Sequence, residues 1–380
     1  MRSSHQLTLV LLAVSVATLA PAAVNYLVDP YQIFHEIDGE MPELHHDSRE
    51  QNPSLIKHCL GSPDTKFDTV IIGTSMGQNF DPSEIQSILG TGRVLKLNMA
   101  GSLPEMDLLI MEKVLKSPNV KRVLWELTPY YRALEPTPLE DIDTFPRHLY
   151  GDSWSDIART LFNTDTISAT RRVLKTDRPP MAYEDWNEWY EEDQWEPRRQ
   201  KELIDKFPEH IAKVIEEHPR DERILDHLPP EIDALDYPIF ERIAELIRSR
   251  PDVEFDLFFP PRSTLYYALW STDLARLFQM QPNAVRILSR VPGASVHGFD
   301  DVGEIVRDLT NYKDLGHYGP QINRRMVMSI ADRTHLLTMD NVGSYQQRRH
   351  DLLRQVIEEV HAGTLDHQGT PELPAGEPQN

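Results

Sequence analysis

Phe67 to Met76 reads FDTVIIGTSM. Its first six residues form a short β-branched and aromatic run, and Gly73 ends it. An apolar run of this length, closed by a glycine, is the pattern of a strand buried on both faces of a parallel sheet. Asp81-Pro82-Ser83-Glu84 follows. Asp81 suits a helix N-cap, Pro82 the first helical position and Glu84 the third position of a capping box. Strand one therefore leads into a helix, and Gly73-Thr74-Ser75 lies on the turn between them.

The alternation continues in both directions. Arg93 to Met99 (RVLKLNM) predicts a second strand, Leu103 to Leu115 a helix, and Lys121 to Leu127 (KRVLWEL) a third strand closed by Thr128-Pro129. Strands and helices in this order make βαβ units and a parallel sheet. The pattern stops between residues 130 and 237, where charged, helical sequence holds Trp154, Trp186, Trp189 and Trp195. Tyr183 to Glu196 interleaves aromatic and acidic residues; amphipathic packing and a sugar-stacking surface both remain open for it. The alternation resumes with a helix at Pro238 to Arg248, a strand at Val253 to Phe259, helices at Thr264 to Phe278 and Asn283 to Arg290, and a strand at Ala294 to Phe299. Helices at Tyr318 to Ala331 and Ser344 to Val360 complete it.

The expected organisation is an α/β domain with a three-layer open parallel sheet over residues 67–335, carrying a helical cap inserted at 130–237. Residues 28–66 read as an irregular lead-in, 336–362 as a C-terminal helix, and 363–380 as a polar, proline-rich disordered tail. The N-terminal 27 residues form the remaining piece. Leu7 to Ala20 is apolar apart from Thr8, Ser15 and Thr18, and the run extends to Leu27. That length approaches the roughly 20 residues that span a bilayer. An uncleaved membrane anchor and a signal segment cut near Ala20-Pro21-Ala22 are the two readings, and both place the body outside the cytoplasm.

The chain of 380 residues has a net charge of -21. That excludes a nucleic-acid binder, which needs clustered Lys and Arg. No Gly-x-Gly-x-x-Gly or Gly-x-x-x-x-Gly-Lys follows a strand, which argues against a nucleotide site. The single cysteine, Cys59, rules out an intramolecular disulfide and a cysteine-rich zinc site. Glu43, His45, His46 and Asp47 are reachable as metal ligands but read better as a solvated loop. No cofactor and no metal are expected.

Two motifs carry chemistry. Ser75 sits at the carboxyl end of strand one, the edge where open parallel sheets build their sites. A serine on such a turn exposes its hydroxyl, and nearby backbone N–H groups can face an oxyanion. The second motif is Asp314-Leu315-Gly316-His317, before the last helix covering the sheet. A serine nucleophile needs a base, and the base needs an orienting carboxylate; Asp and His three residues apart supply both. The competing reading is a turn serine, a helix-capping Asp314 and a surface His317. Asp300-Asp301 and Arg262 lie near the same edge. Asp300-Asp301 could help bind substrate but reads better as a turn, and position alone suggests that Arg262 could steer an acyl carboxylate or a sugar acid.

This chain order, with a serine after strand one and Asp-x-x-His late in the α/β unit, resembles the SGNH (GDSL-like) hydrolases. Ile72-Gly73-Thr74-Ser75 is similar to their first block, Leu97 to Gly101 to their second, and Asp314 to His317 to their last. A narrower likeness is to membrane-anchored, SGNH-like bacterial envelope proteins, through Val24 to Tyr31 (VNYLVDPY), Gly73 to Pro82 (GTSMGQNFDP), Phe258 to Ser263 (FFPPRS) and Asn311 to Asn323 (NYKDLGHYGPQIN). The resemblance implies a Ser75–His317–Asp314 triad, with the N–H groups of Ser75 and Gly101 as oxyanion donors. Its third block departs: Glu126-Leu127-Thr128-Pro129 stands where the family carries an asparagine donor. Asn79 and Asn98 are the available substitutes.

The implied activity is ester hydrolysis or O-acyl transfer, with acetyl the expected acyl group, on an envelope or exopolysaccharide carbohydrate through an acyl-enzyme. The implied partners are that carbohydrate or acyl-ester substrate, the bilayer through the N-terminal helix, and envelope polysaccharide machinery. The alternative implied function is a noncatalytic SGNH-like accessory protein in exopolysaccharide assembly.

Overall fold

A computed structural model describes residues 17, 19–37, 41–42, 47–61, 66–133, 135, 137–175, 205–218, 237–269 and 274–365. Most of the expected N-terminal anchor lies outside these residues. So do Glu43, His45 and His46, the Tyr183 to Glu196 stretch, and the tail from residue 366 onward. Among the described residues no helix is long and apolar enough to cross a membrane.

The chain divides into two compact units, one of residues 1–65 and 137–186, the other of 66–136 and 187–380. In the first, residues 19–28 are helical. The Asp29 carboxylate then accepts the N–H groups of Ile33, Phe34 and His35 at 2.8–3.0 Å. The expected irregular lead-in needs correction here, because α1 (Ser48–Leu55) runs straight into a π-helical turn at Ile56–Leu60. Asp47 starts α1 by accepting the Arg49 N–H. Pro53, inside α1, hides it from sequence reading by removing one helical donor. The Arg49 carbonyl that would have received it accepts the Tyr150 hydroxyl instead, at 2.7 Å. Two later helices belong to this unit, α4 (Trp154–Phe162) and α5 (Thr164–Lys175).

The second unit is built on a five-stranded sheet, all parallel, in the order β2-β1-β3-β4-β5. The strands are β1 (Phe67–Ile72), β2 (Arg93–Lys96), β3 (Arg122–Glu126), β4 (Glu254–Phe259) and β5 (Ala294–Gly298). Each falls within its expected range. α2 (Pro82–Leu89) starts as expected, with the Asp81 carboxylate accepting the N–H groups of Ser83 and Glu84. The other helices are α3 (Pro104–Val114), α6 (Asp205–Glu217), α7 (Pro238–Ser249), α8 (Thr264–Ala268), α9 (Leu274–Leu288), α10 (Gly303–Val306), α11 (Pro320–Ala331) and α12 (Val342–Ala362).

Helices lie on both faces of the sheet. Ile71, Leu124 and Phe258 pack with Ile85 of α2 and Ile322, Met326 and Val327 of α11. The strand neighbour Trp125 points the other way and hydrogen-bonds Tyr131, which bonds Asp107 of α3. Val70, Ile71 and Ile72 are fully buried, which explains the apolar run that ends β1.

One expected helix break is misplaced. The sequence predicts a boundary near Pro282, yet α9 runs through it. The Phe278 carbonyl, four residues earlier, accepts the Gln346 amide of α12 in place of the missing N–H. A side chain distant in sequence again replaces the donor that proline lacks.

Candidate active site

The strand order reverses between β1 and β3, which opens a crevice beyond their carboxyl ends. The turn after β1 borders it. Gly73 has φ 145°, and a Cβ there would stand 2.4 Å from the Glu126 Cβ, so only glycine fits. Thr74 donates its N–H and its hydroxyl to the two oxygens of Glu126, at 2.8 Å each. Ser75–Asn79 then forms a 3-10 turn. Lys96 closes its far end, donating to the carbonyls of Gln78 and Phe80 at 3.0 and 2.8 Å. Asn323 of α11 donates to the Met76 carbonyl. Three elements thus hold the turn that carries Ser75.

Glu126 and Lys96 are both buried. Burial pushes the Glu126 carboxyl up, opposed by the Thr74 hydrogen bonds and the Arg262 charge. Burial drives the Lys96 ammonium well below its usual range. Sequence reading gave neither a role at the site. Their signal is present, since each is an ionisable residue inside an otherwise apolar strand run.

The second wall is Asn311 to Gly319. Tyr312 and Tyr318 form an antiparallel bridge, and the Lys313 N–H bonds the His317 carbonyl at 2.9 Å. Asp314 Oδ1 accepts the N–H groups of Gly316 and His317 at 2.8 and 2.9 Å, closing a tight turn. This loop is fastened to the segment after β4. Ser263 donates its N–H and hydroxyl to the Leu315 carbonyl, and the Tyr312 hydroxyl bonds the Pro261 carbonyl at 2.6 Å.

The two walls meet at one hydrogen bond. Ser75 Oγ is 3.0 Å from His317 Nε2, and His317 Nδ1 is 2.7 Å from Asp314 Oδ2. The consistent proton assignment puts a hydrogen on Nδ1 toward Asp314 and leaves Nε2 to accept from Ser75. Burial alone would raise the Asp314 carboxyl, but the His317 hydrogen bond and charge, with the two backbone N–H groups, bring it down to about 2. Val214 of α6 shares a buried apolar cluster with Leu315 of this loop, so α6 reaches this edge.

The Met99 N–H bonds the Gly73 carbonyl at 2.8 Å, so the chain after β2 runs beside the Ser75 turn. Gly101 follows in a left-handed conformation, φ 63°. Among the described residues, neither the Ser75 nor the Gly101 N–H is used in a hydrogen bond. Asn98 is buried with both side-chain polar atoms unpartnered, and its Nδ2 lies against Gly77 of the turn. Asn79 ends the turn, and its Oδ1 is also unpartnered.

The Asp300-Asp301 pair serves structure. Asp300 is buried against Arg349, Tyr267, Tyr345 and Gln281, and Asp301 pairs with Arg348 at 2.6 Å. Both carboxylates therefore dock α12 against the sheet edge rather than serve a simple turn. Among the described residues no cluster of three or more His, Cys, Asp or Glu is arranged to hold a metal. No known family model and no curated protein matches this chain.

Proposed function

We propose that the protein is a serine hydrolase or acyltransferase of the SGNH type, using Ser75 as nucleophile, His317 as base and Asp314 as the orienting carboxylate. The observation that carries the reading is the pair of contacts at His317, 3.0 Å to Ser75 Oγ and 2.7 Å to Asp314. His317 would take the serine proton as Ser75 attacks an ester carbonyl, then return it to the leaving alcohol. Water or a sugar hydroxyl would complete the cycle. The unused N–H groups of Ser75 and Gly101 suit the developing oxyanion, and the Asn98 amide is the available third donor.

The parallel order β2-β1-β3-β4-β5, with the serine at the reversal point, suits an SGNH-like, flavodoxin-type sheet. The substrate class we propose is an O-acyl, chiefly O-acetyl, ester of an envelope carbohydrate. The apolar run Leu7 to Ala20 supports an extracytoplasmic body tethered to the bilayer, and Leu19, Val24, Tyr26 and Leu27 are exposed on the helical residues 19–28.

A fluorophosphonate probe tests the chemistry. Covalent labelling mapped to Ser75, absent in Ser75→Ala, is the expected result. Labelling at another residue, or none, would sink it. A second reading is a noncatalytic accessory protein in polysaccharide assembly. It is favoured by Glu126, which acts as an acceptor where the family carries a donor. Full complementation in cells by Ser75→Ala would select that reading.

A further inference from the structure

Arg262 is 8% exposed, and its Nε is buried without a hydrogen-bond partner. Among the described residues no hydrogen bond and no ion pair engages its guanidinium. The other buried guanidiniums among the described residues, Arg307 and Arg349, are paired with Glu359 at 2.6 Å and with Asp300 at 3.0 Å, as desolvated cations normally require. Arg262 instead lies over the Tyr266 ring, 4.8 Å from its centroid. Its Nη1 faces Gly316, between Asp314 and His317; a Cβ there would be 3.0 Å away. The Tyr318 hydroxyl, buried nearby, is also unpartnered.

The fold keeps this arginine in place. Its neighbours Pro261 and Ser263 are bonded to Tyr312 and to the Leu315 carbonyl, so the residue moves with the triad loop. Glu126 feels the Arg262 charge but spends its oxygens on Thr74, and no ion pair forms. A buried, held donor fork without an acceptor is costly in the free protein, and an incoming anion would relieve that cost.

We infer that Arg262 forms an anion subsite beside the triad, and that the ester substrate carries a carboxylate. This rests on the hydrolase reading above. A planar carboxylate matches the guanidinium fork. A dianion fits less well, because Glu126 and Asp314 already place negative charge around the site.

The test compares esters that differ by one carboxylate. Acetylated glucuronic acid against acetylated glucose places it on the alcohol side. The 4-nitrophenyl monoester of succinic acid against 4-nitrophenyl acetate places it on the acyl side. We expect kcat/KM to favour the charged member of one pair by roughly ten- to hundred-fold, the usual worth of a charge-assisted hydrogen bond. The preference should fall to about one in Arg262→Gln and survive in part in Arg262→Lys. Labelling of Ser75 in both variants checks that the site is still assembled. Wild-type protein that labels at Ser75 but treats both pairs alike, or a preference that persists in Arg262→Gln, would overturn the subsite and leave the hydrolase reading intact. Should Ser75 not label, titration of glucuronic acid against glucose by NMR decides the subsite alone. Succinate against acetate covers the acyl side in the same way; Arg262-dependent binding of either acid supports the subsite, and equal or absent binding of both ends it.

Discussion

The Glu126 carboxylate receives both the backbone N–H and the hydroxyl of Thr74, each at 2.8 Å. Thr74 directly precedes Ser75, so a buried side chain on β3 sets the height and direction of the turn after β1. Glu126→Ala leaves the Thr74 N–H buried without an acceptor, and a loss of about 2–4 kcal/mol is expected. Glu126→Gln keeps one acceptor, and the Thr74 hydroxyl can rotate to accept, so a loss nearer 1 kcal/mol is expected. Urea unfolding measures both. Midpoints equal to wild type in the two variants would show that this clasp holds nothing.

Gly73→Ala meets two penalties at once. Its φ of 145° is unfavourable for a side chain, and the added Cβ overlaps Glu126. The expected cost is about 3 kcal/mol or more. Thermal unfolding of the variant should show a fall of many degrees, or no folded protein at all. A variant as stable as wild type would mean the turn can adopt another path.

Asp314→Asn tests the imidazole tautomer. The amide can present an N–H to Nδ1, which turns the Nε2 proton toward Ser75 and removes the base. A loss of roughly 10³–10⁴ in turnover is expected, with the fold retained. Because Asp314 titrates near 2, it stays ionised well below neutrality. An acid limb in kcat/KM above pH 4 therefore does not come from Asp314, and an unchanged acid limb in Asp314→Glu would agree.

Asp107 makes folding stability depend on pH in the less common direction. Burial raises its carboxyl from 3.8 to about 7, against the opposing hydrogen bonds of Ser102 and Tyr131. Between about pH 4 and 7 the fold keeps a proton that the unfolded chain has released. Stability contributed through this group therefore falls as pH rises across that window, and levels off above it. Asp107→Asn should flatten the slope between pH 4 and 7 in urea midpoints. The same slope in the variant would assign it elsewhere.

The strands were readable because a sheet buried on both faces leaves unbroken apolar runs. Val70 to Ile72, Val123 to Trp125 and Leu257 to Phe259 carry that mark. The helix start at Asp81 was readable because capping is a local bargain between neighbours in sequence. α1 and the passage of α9 through Pro282 were not. There the missing proline donor is replaced by Tyr150 and by Gln346, more than 60 residues away, and no local pattern records that.

The site divides along the same line. Ser75, Asp314 and His317 could be picked out only because the two short motifs, each weak alone, occur together in one α/β unit as a serine and an Asp-x-x-His. The Asp314–His317 contact is local, three residues apart on one turn. The Ser75–His317 hydrogen bond spans 242 positions and exists only because β1 lies beside β3 at the point where the sheet reverses. The burial of Glu126, Lys96 and Arg262 likewise comes from packing. Desolvation, not residue type, turns an acid into a clasp, an ammonium into a brace and a guanidinium into an unfilled donor.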